Sequence, residues 1–363
     1  MNLTLSHGSH SILTSSDFLA IRKTSLTSNE LQAIDMLESL IGHGEIEIGT
    51  SGSTGDPTPI KLALPLLQWS VHQTTEHLQL ENEKVFLCLP ADKIGGCMML
   101  VRSWMNNWPI TIVEPSRDPM QDLPANHDFT FISLVPYQLR NVLDNHESIH
   151  KLSRFKNVLV GGASISIDLI SQINDLFAAS GIKFFSTYGM TETASHIALK
   201  RIDVDFNKYG YALFEGVYVE LDEDDCLMVE IPEVDVKIQT NDRCLLNKRK
   251  LTFLGRRDAV VNSGAIKINL QQLTERLEDF LSAEGIAAET YVLWKEDSNV
   301  WGEMLILIAR EHLSLNVLKH LINSELEPEF RPKKYYSIKD FVMTSSGKID
   351  VLQSFQKSVE VGS

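Results

Sequence analysis

Between residues 84 and 178 short apolar runs alternate with longer amphipathic stretches, and that alternation limits the chain to a narrow class of folds. The runs KVFLCLP (84–90), PITIV (109–113), FTFISLV (129–135) and NVLV (157–160) are short and rich in β-branched and aromatic residues. Residues 95–106, 136–145 and 166–178, which separate them, carry helical spacing. Repetition of this kind predicts an α/β sheet with parallel pairs. Upstream, Thr27-Ser28-Asn29-Glu30 offers a capping box, LQAIDMLESLIG continues at helical spacing, and Gly42 and Gly44 end the helix. Ile46 and Ile48 then alternate with charges as a short strand would, ahead of a loop rich in Gly, Ser and Thr.

From about residue 211 the pattern changes to short strands and acidic turns, VYVELDEDDCLMVEI, VKIQTNDRCLL and KLTFLGRRD, which predict a small antiparallel region. After Gly255-Arg256-Arg257-Asp258 come a helix (QQLTERLEDFLSAEG), strands (TYVLWKE, EMLILIAR), a helix (LNVLKHLINSEL) and a last strand (YYSIKDFVM). The expected organisation is a large α/β domain over residues 1–257 and a small α+β domain over 258–363.

Charge and cysteine usage narrow the function classes. With 33 Lys+Arg against 48 Asp+Glu the net charge is −15, so no diffuse basic footprint favours nucleic acid or an anionic membrane. No run approaches the ~18 apolar residues of a membrane span, and MNLTLSHGSHSILTSSDF lacks the order of a secretory leader. Cys88, Cys97, Cys226 and Cys244 are far apart and form no C-x-x-C pair, which reads as reduced thiols in a cytoplasmic protein.

Several short stretches carry chemistry. Thr50-Ser51-Gly52-Ser53-Thr54-Gly55-Asp56-Pro57 combines small residues with four hydroxyls, the ingredients of a polyphosphate cradle, although no Gly-Lys-Ser/Thr closes it and a flexible Ser/Gly linker stays open. Thr187-Tyr188-Gly189-Met190-Thr191-Glu192-Thr193 follows the apolar run 182–185, at a point where a strand leaves the sheet. There Glu192 could hold Mg²⁺ and Thr191 could donate to phosphate; a surface turn is the plainer reading. Gly161-Gly162-Ala163 follows NVLV at a similar strand end, where a flat base could lie against bare backbone. Asp242, in Thr240-Asn241-Asp242, could accept from both ribose hydroxyls or simply serve a β-turn. Ser345-Ser346-Gly347-Lys348-Ile349-Asp350 places a lysine in a Gly turn, a position usually solvated. An arginine on the otherwise apolar CMMLVRSWM needs an anionic partner or an exit to solvent, and the fork of Arg102 suits a carboxylate. Pairing with an internal acid, or snorkelling, stays open. Gly95 and Arg102 are seven apart and would share a helix face.

In this order the stretches resemble the adenylate-forming superfamily of acyl-CoA synthetases, peptide-synthetase adenylation domains and luciferases. TSGSTGDP is similar to its phosphate loop, YGMTET to its adenine and Mg²⁺ motif, TND to its ribose motif, GRRD to its hinge and SSGKID to its catalytic-lysine motif. The resemblance runs from about residue 46 to 350. It implies a small-molecule acid, ATP, Mg²⁺ and coenzyme A as reactants and cofactors. It also implies a C-terminal domain that rotates about Asp258 between two half-reactions. Carried over position by position, it gives Thr50, Ser51, Gly52, Ser53, Thr54 and Gly55 to phosphate. Gly162, Ala163, Thr187, Tyr188, Gly189, Met190, Asp242 and Arg256 go to the rest of ATP, Thr191 to the α-phosphate and Glu192 to Mg²⁺. Lys348 would bridge the acid and the α-phosphate. TYGMTETASHIA, LPADKIGGCMMLVRSWM and the compact length look most like the o-succinylbenzoate–CoA ligases of menaquinone biosynthesis. That likeness implies acid binding by Lys93, Gly95 and Arg102, the last at a position associated with a substrate carboxylate.

The chain departs from the pattern in places. Thr58 stands where the phosphate loop usually has a lysine, with Lys61 three residues on; Lys93 replaces a histidine; Asn241 replaces glycine; and Ser263-Gly264-Ala265 replaces a double glycine. Against the resemblance, the family's N-terminal subdomain is expected to be largely missing, which would leave a sheet face to be covered in another way, a homodimer being one. Another aryl or acyl acid, or a non-catalytic nucleotide-binding protein, are the competing readings.

Overall fold

The computed structural model describes residues 2–5, 8–11, 26–50, 58–163, 165–202, 210–263, 266–300, 302–343 and 349–360. Its centre is a parallel ladder. Val85–Leu87 lies between Ile110–Ile112 and Phe131–Leu134, and Phe131–Leu134 continues through Asn157–Val160 to Lys183–Met190, all in parallel. Three of the four expected strands are shorter than their apolar runs, and all four pair in parallel. Side chains alternate across the pleat as a sheet covered on both faces requires. Val85, Leu87, Phe131 and Leu159 join one core with Ile34, Leu37, Leu67, Met98 and Met99. Phe86, Ile132, Leu134, Val158 and Val160 join a second with Leu139, Val142, Leu169 and Ile173.

The helices on the two faces follow from local sequence. Ser28–His43 opens on the expected capping box, Thr27 with Glu30, worth about 1 kcal/mol, and closes at Gly44 with φ 69°. Its Asn29 is buried yet fully used. It donates to the carbonyls of Leu89 (3.1 Å) and Val113 (2.7 Å) and accepts from Ala91 N–H (2.7 Å). Those bonds pin the helix to the C-terminal ends of two adjacent parallel strands. Ile94–Met105 lies on the same face, and Pro136–Leu143 and Ile167–Phe177 on the other. In this part of the chain Leu64–Leu78 and His146–Leu152 were not anticipated from sequence.

The antiparallel region is not a separate unit. Ser195–Arg201 turns back on Lys183–Met190 and pairs with Tyr211–Leu213, which leads through Lys250–Arg256, Val236–Asn247 and Cys226–Ile231 to Tyr218–Leu221. With Asn2–Leu5 and Gly8–Ser11 at the far edge, the described strands make one 13-stranded mixed sheet. The strand carrying Ile46 and Ile48, Glu45–Thr50, instead forms a two-stranded ribbon with Thr58–Ala63. After the turn Arg257–Ala259 the chain enters a second sheet, built on Val260–Ser263, Ile266–Asn269, Tyr291–Ser298, Gly302–Arg310, Lys334–Ile338 and Val359–Glu360. Leu270–Ala283 and Leu315–Glu325 pack on one face of it. Its last long strand ends at Ile338, short of the expected 343, and Val351–Lys357 adds a helix not read from sequence. The two sheets meet where Asn269 and Gln272 donate to the Leu254 carbonyl, at 2.9 and 3.2 Å. Among the described residues no helix is long and apolar enough to cross a membrane.

Candidate functional site

The parallel pairing of Lys183–Met190 stops at Ser186, opposite Val160, so Thr187, Tyr188, Gly189 and Met190 run past the ladder. The neighbouring strand gives out at the same level into Gly161, Gly162 and Ala163, the last two exposed. Open α/β sheets bind ligands beyond such C-terminal strand ends. A Cβ on Gly161 would lie 2.2 Å from Thr187 Oγ1, and Gly162 holds φ +85°. A side chain is kept off Gly161 by the Thr187 hydroxyl and off Gly162 by its left-handed backbone.

Tyr188 crosses to the antiparallel part of the sheet and donates to Asp242 Oδ2 at 2.8 Å. Its ring packs against Tyr211 and Phe253, at centroid distances of 5.8 and 5.9 Å. Burial, and then the facing Asp242 carboxylate, push the Tyr188 phenol well above its usual range, so it stays a donor. Asp242 also takes its backbone turn from Thr240, whose Oγ1 accepts Asp242 N–H at 3.0 Å. Arg256 stands opposite Asp242 in the ladder, its Nη1 3.6 Å from Oδ1. Arg257 bonds Asp224 (3.0 Å) and Asn241 (2.7 Å). Asp242 thus joins the Tyr188 stretch, as the motif order implied, with Arg256 beside it.

Beyond Met190 the chain makes the tight turn Thr191–Thr193. Thr193 Oγ1 accepts Met190 N–H at 3.2 Å and lies 2.7 Å from the Ser195 carbonyl, to which it donates. Ala194 and Ser195 hold positive φ, 48° and 85°, unusual for residues with a Cβ and a mark of a locally over-determined turn. Gly189 is obligatory opposite them, because a Cβ there would sit 2.1 Å from Ser195 O. The turn leaves Glu192 exposed and Thr191 half-buried. Among the described residues no cluster of three or more His, Cys, Asp or Glu side chains could hold a metal.

The same turn reaches Arg102. Ile94–Met105 opens at Lys93, which pairs with Asp92 at 3.2 Å, and Gly95 lies against Leu89. Arg102 is 2% exposed, and its Nη2 donates to Ser195 Oγ (2.9 Å) and Thr74 Oγ1 (3.2 Å). Among the described residues its Nε has no partner. Neither alternative open in the sequence holds: the guanidinium is buried rather than snorkelling, and no carboxylate pairs with it among the described residues. Burial lowers it to about 9, well below an ordinary arginine. Thr74 Oγ1 in turn lies 3.0 Å from His196 Nε2. His196 lay unremarked within TYGMTETASHIA, and Thr74 belongs to Leu64–Leu78, a helix that sequence reading missed.

Ser51, Gly52, Ser53, Thr54, Gly55 and Lys348 lie outside the described residues. Thr50 ends one strand of the ribbon and Thr58 begins the next, with residues 51–57 between them in the sequence. Lys61 lies on that ribbon, exposed and 3.0 Å from Glu45. Asp258 falls in the turn Arg257–Ala259 between the two sheets.

Comparison with known proteins bears on this arrangement. The signature of the family described as AMP-binding enzyme matches residues 48–232. The 2-succinylbenzoate–CoA ligase of Enterococcus faecalis is 25% identical over 361 aligned residues, covering 90% of this chain and 72% of the relative. That of Lactococcus lactis is 23% identical, covering 83% and 68%. Among solved structures, an acyl-CoA synthetase (AMP-forming)/AMP-acid ligase II-like protein from Dyadobacter fermentans is 31% identical with a TM-score of 0.60, covering 95% of this chain and 98% of that one. The o-succinylbenzoate CoA synthetase of Bacillus subtilis, solved with the acyl-adenylate OSB-AMP, shares the fold at a TM-score of 0.71 and 18% identity, covering 99% and 79%. By the family match over half its length, and by a 31% identical structural relative that it spans almost end to end, the chain belongs to the AMP-binding enzymes.

Proposed function

We propose that the chain is an ATP-dependent acid–CoA ligase acting through an acyl-AMP intermediate, and that its acid is o-succinylbenzoate. The observation that carries the substrate is Arg102. A buried cation costs several kcal/mol unless something compensates it, and among the described residues its partners are two hydroxyls. An acid with a second carboxylate, held by Arg102 while the first reacts, supplies the missing counter-charge. The curated relatives named 2-succinylbenzoate–CoA ligase support the same acid.

The residues present suit the other reactants. Mg²⁺ takes one or two protein carboxylates and completes its shell with phosphates and water, which fits the lone exposed Glu192. When bound it would neutralise phosphate charge. Backbone at Gly161–Gly162 and the Tyr188–Asp242 pair offer a flat, hydrogen-bonding ledge to a nucleoside, with Asp242 Oδ1 shared between the ribose hydroxyls and Arg256 Nη1, 3.6 Å away. Thr191 would donate to the α-phosphate and the 50–55 loop would take the leaving phosphates. Lys348 would bridge the attacking carboxylate and the α-phosphate. Catalysis on this reading is positioning and charge neutralisation, with no covalent nucleophile. The described geometry agrees, since all four cysteines are buried, and burial raises Cys97 and Cys244 to about 12. In the second half-reaction the 258–363 unit turns about Asp258, withdraws Lys348 and admits coenzyme A, whose thiolate displaces AMP. The enzyme would work in the cytoplasm.

The test is Lys348→Ala assayed in both half-reactions. Pyrophosphate release should be abolished while thioester formation from supplied acyl-AMP largely survives. Equal loss of both would overturn the assigned role.

A further inference from the structure

The groups around Arg102 form a network whose proton positions can be assigned throughout. Thr74 Oγ1 lies 2.9 Å from the Ser70 carbonyl, to which it gives its single proton. It must then accept from Arg102 Nη2 (3.2 Å) and from His196 Nε2 (3.0 Å). That places the imidazole proton on Nε2 and makes Nδ1 an acceptor, 3.4 Å from Ser195 Oγ. Ser195 in turn accepts from Arg102 Nη2 at 2.9 Å and directs its own proton to Nδ1. Ser70 closes the arrangement by donating to the Ala194 carbonyl at 2.7 Å, tying the helix Leu64–Leu78 to the strained turn. Thr74 is fully buried and His196 nearly so, whereas Ser195, half-buried, is the member solvent reaches. No member carries negative charge. A second proton on His196 would set a cation beside Arg102; burial, then Arg102, then His77 hold it well below the usual histidine range.

We infer that Thr74 and His196 are positioning residues that hold the Arg102 guanidinium through neutral acceptors, leaving its charge uncompensated for the second carboxylate of the acid. An aspartate in place of Thr74 would hold the arginine as well but would cancel the charge the substrate needs. The inference rests on the substrate reading above and deepens it. It explains why a buried histidine, with no part in the chemistry, faces a buried arginine across one threonine hydroxyl.

The experiment compares Thr74→Val with Thr74→Ser, and His196→Leu with His196→Gln, using o-succinylbenzoate and 3-benzoylpropionate, the same keto acid without the ring carboxylate. Glutamine keeps both a donor and an acceptor, and serine keeps the hydroxyl. Thr74→Val and His196→Leu should raise KM for o-succinylbenzoate about tenfold or more. KM for ATP should not change, and the preference over 3-benzoylpropionate should fall by the same factor. Thr74→Ser and His196→Gln should remain within about threefold of wild type. Equal effects of valine and serine, or equal changes for both acids, would overturn the positioning role. Nitrogen-15 shifts of His196 in the wild-type protein give a readout independent of any variant's folding: a neutral Nε2–H tautomer is expected, and an Nδ1–H tautomer or an imidazolium at pH 7 refutes the assignment. Wild type that turns over no o-succinylbenzoate removes the substrate reading and this inference with it. Turnover by wild type beside indifferent variants removes the inference alone.

Discussion

Replacing Arg102 by methionine should stabilise the protein while removing its grip on the acid. Burial takes the guanidinium from the ordinary arginine range down to about 9. At about 1.4 kcal/mol per tenfold change in proton affinity, that corresponds to about 5 kcal/mol of unfavourable charging at the outside. Two hydrogen bonds from a charged donor return about 1.5 kcal/mol each. Their loss orphans neither acceptor, because Thr74 keeps Ser70 and His196, and Ser195 keeps His196. Arg102→Met therefore gains a net ~1–2 kcal/mol, a Tm rise of about 2–4 °C per kcal/mol in domains approaching this size. The pH dependence has a definite sign. Arg102 is held below its unfolded value, so the unfolded state binds the extra proton from about pH 9 up to the ordinary arginine range. The wild-type penalty is complete below pH 9 and shrinks above it, so the stabilities of wild type and variant should converge in that range. Differential scanning calorimetry at pH 7 and pH 10, beside KM for o-succinylbenzoate, reads both effects. KM should rise at least about 30-fold, the lower bound for losing one partner of a charged pair. A variant destabilised by several kcal/mol would show that Arg102 already has a strong counter-charge, and the reasoning would fail.

Other outcomes follow from the same geometry. Gly189→Ala forces a Cβ to 2.1 Å from Ser195 O and 2.4 Å from His196 Cα. It should cost about 3 kcal/mol in urea denaturation and lower activity by displacing the 190–195 turn. Tyr188→Phe removes the donor to Asp242; it should cost about 1–2 kcal/mol and raise KM for ATP several-fold without changing KM for coenzyme A. His196 is kept neutral by burial, with a folded value below the ordinary 6.5. As pH falls below about 6.5 the unfolded state takes up a proton the folded state refuses, and stability drops. His196→Gln should make that acid-side decline shallower without abolishing it, since His77 and His127 are lowered as well; proton uptake on unfolding at pH 5.5 checks this.

What could be read from sequence was local. The capping box at Thr27–Glu30 and the β-branched runs from 85 to 160 name their own conformations, because each is decided within a few residues. Tyr188 and Asp242, 54 positions apart, were placed in one site by motif order, and the structure joins them directly. The helix Leu64–Leu78 escaped notice because its N-cap, Ala63, offers no capping side chain, although Pro65 in its first turn is a start signal. Missing it hid Ser70 and Thr74. The setting of Arg102 was therefore invisible: its partners lie 28 and 93 positions away, on a helix not foreseen and on a turn with two left-handed residues. Composition showed that an acidic chain of net charge −15 must use local cations for anionic ligands. It could not show that one of them is buried among neutral hydroxyls.

The central claim is that this chain adenylates o-succinylbenzoate, and acid-dependent ATP–pyrophosphate exchange measures that step directly. A panel of aryl and acyl acids should give strong exchange with o-succinylbenzoate and, on adding coenzyme A, its thioester and AMP in equal amounts. Exchange driven by a different acid and silent with o-succinylbenzoate, or ATP binding without exchange for any acid, would contradict the account.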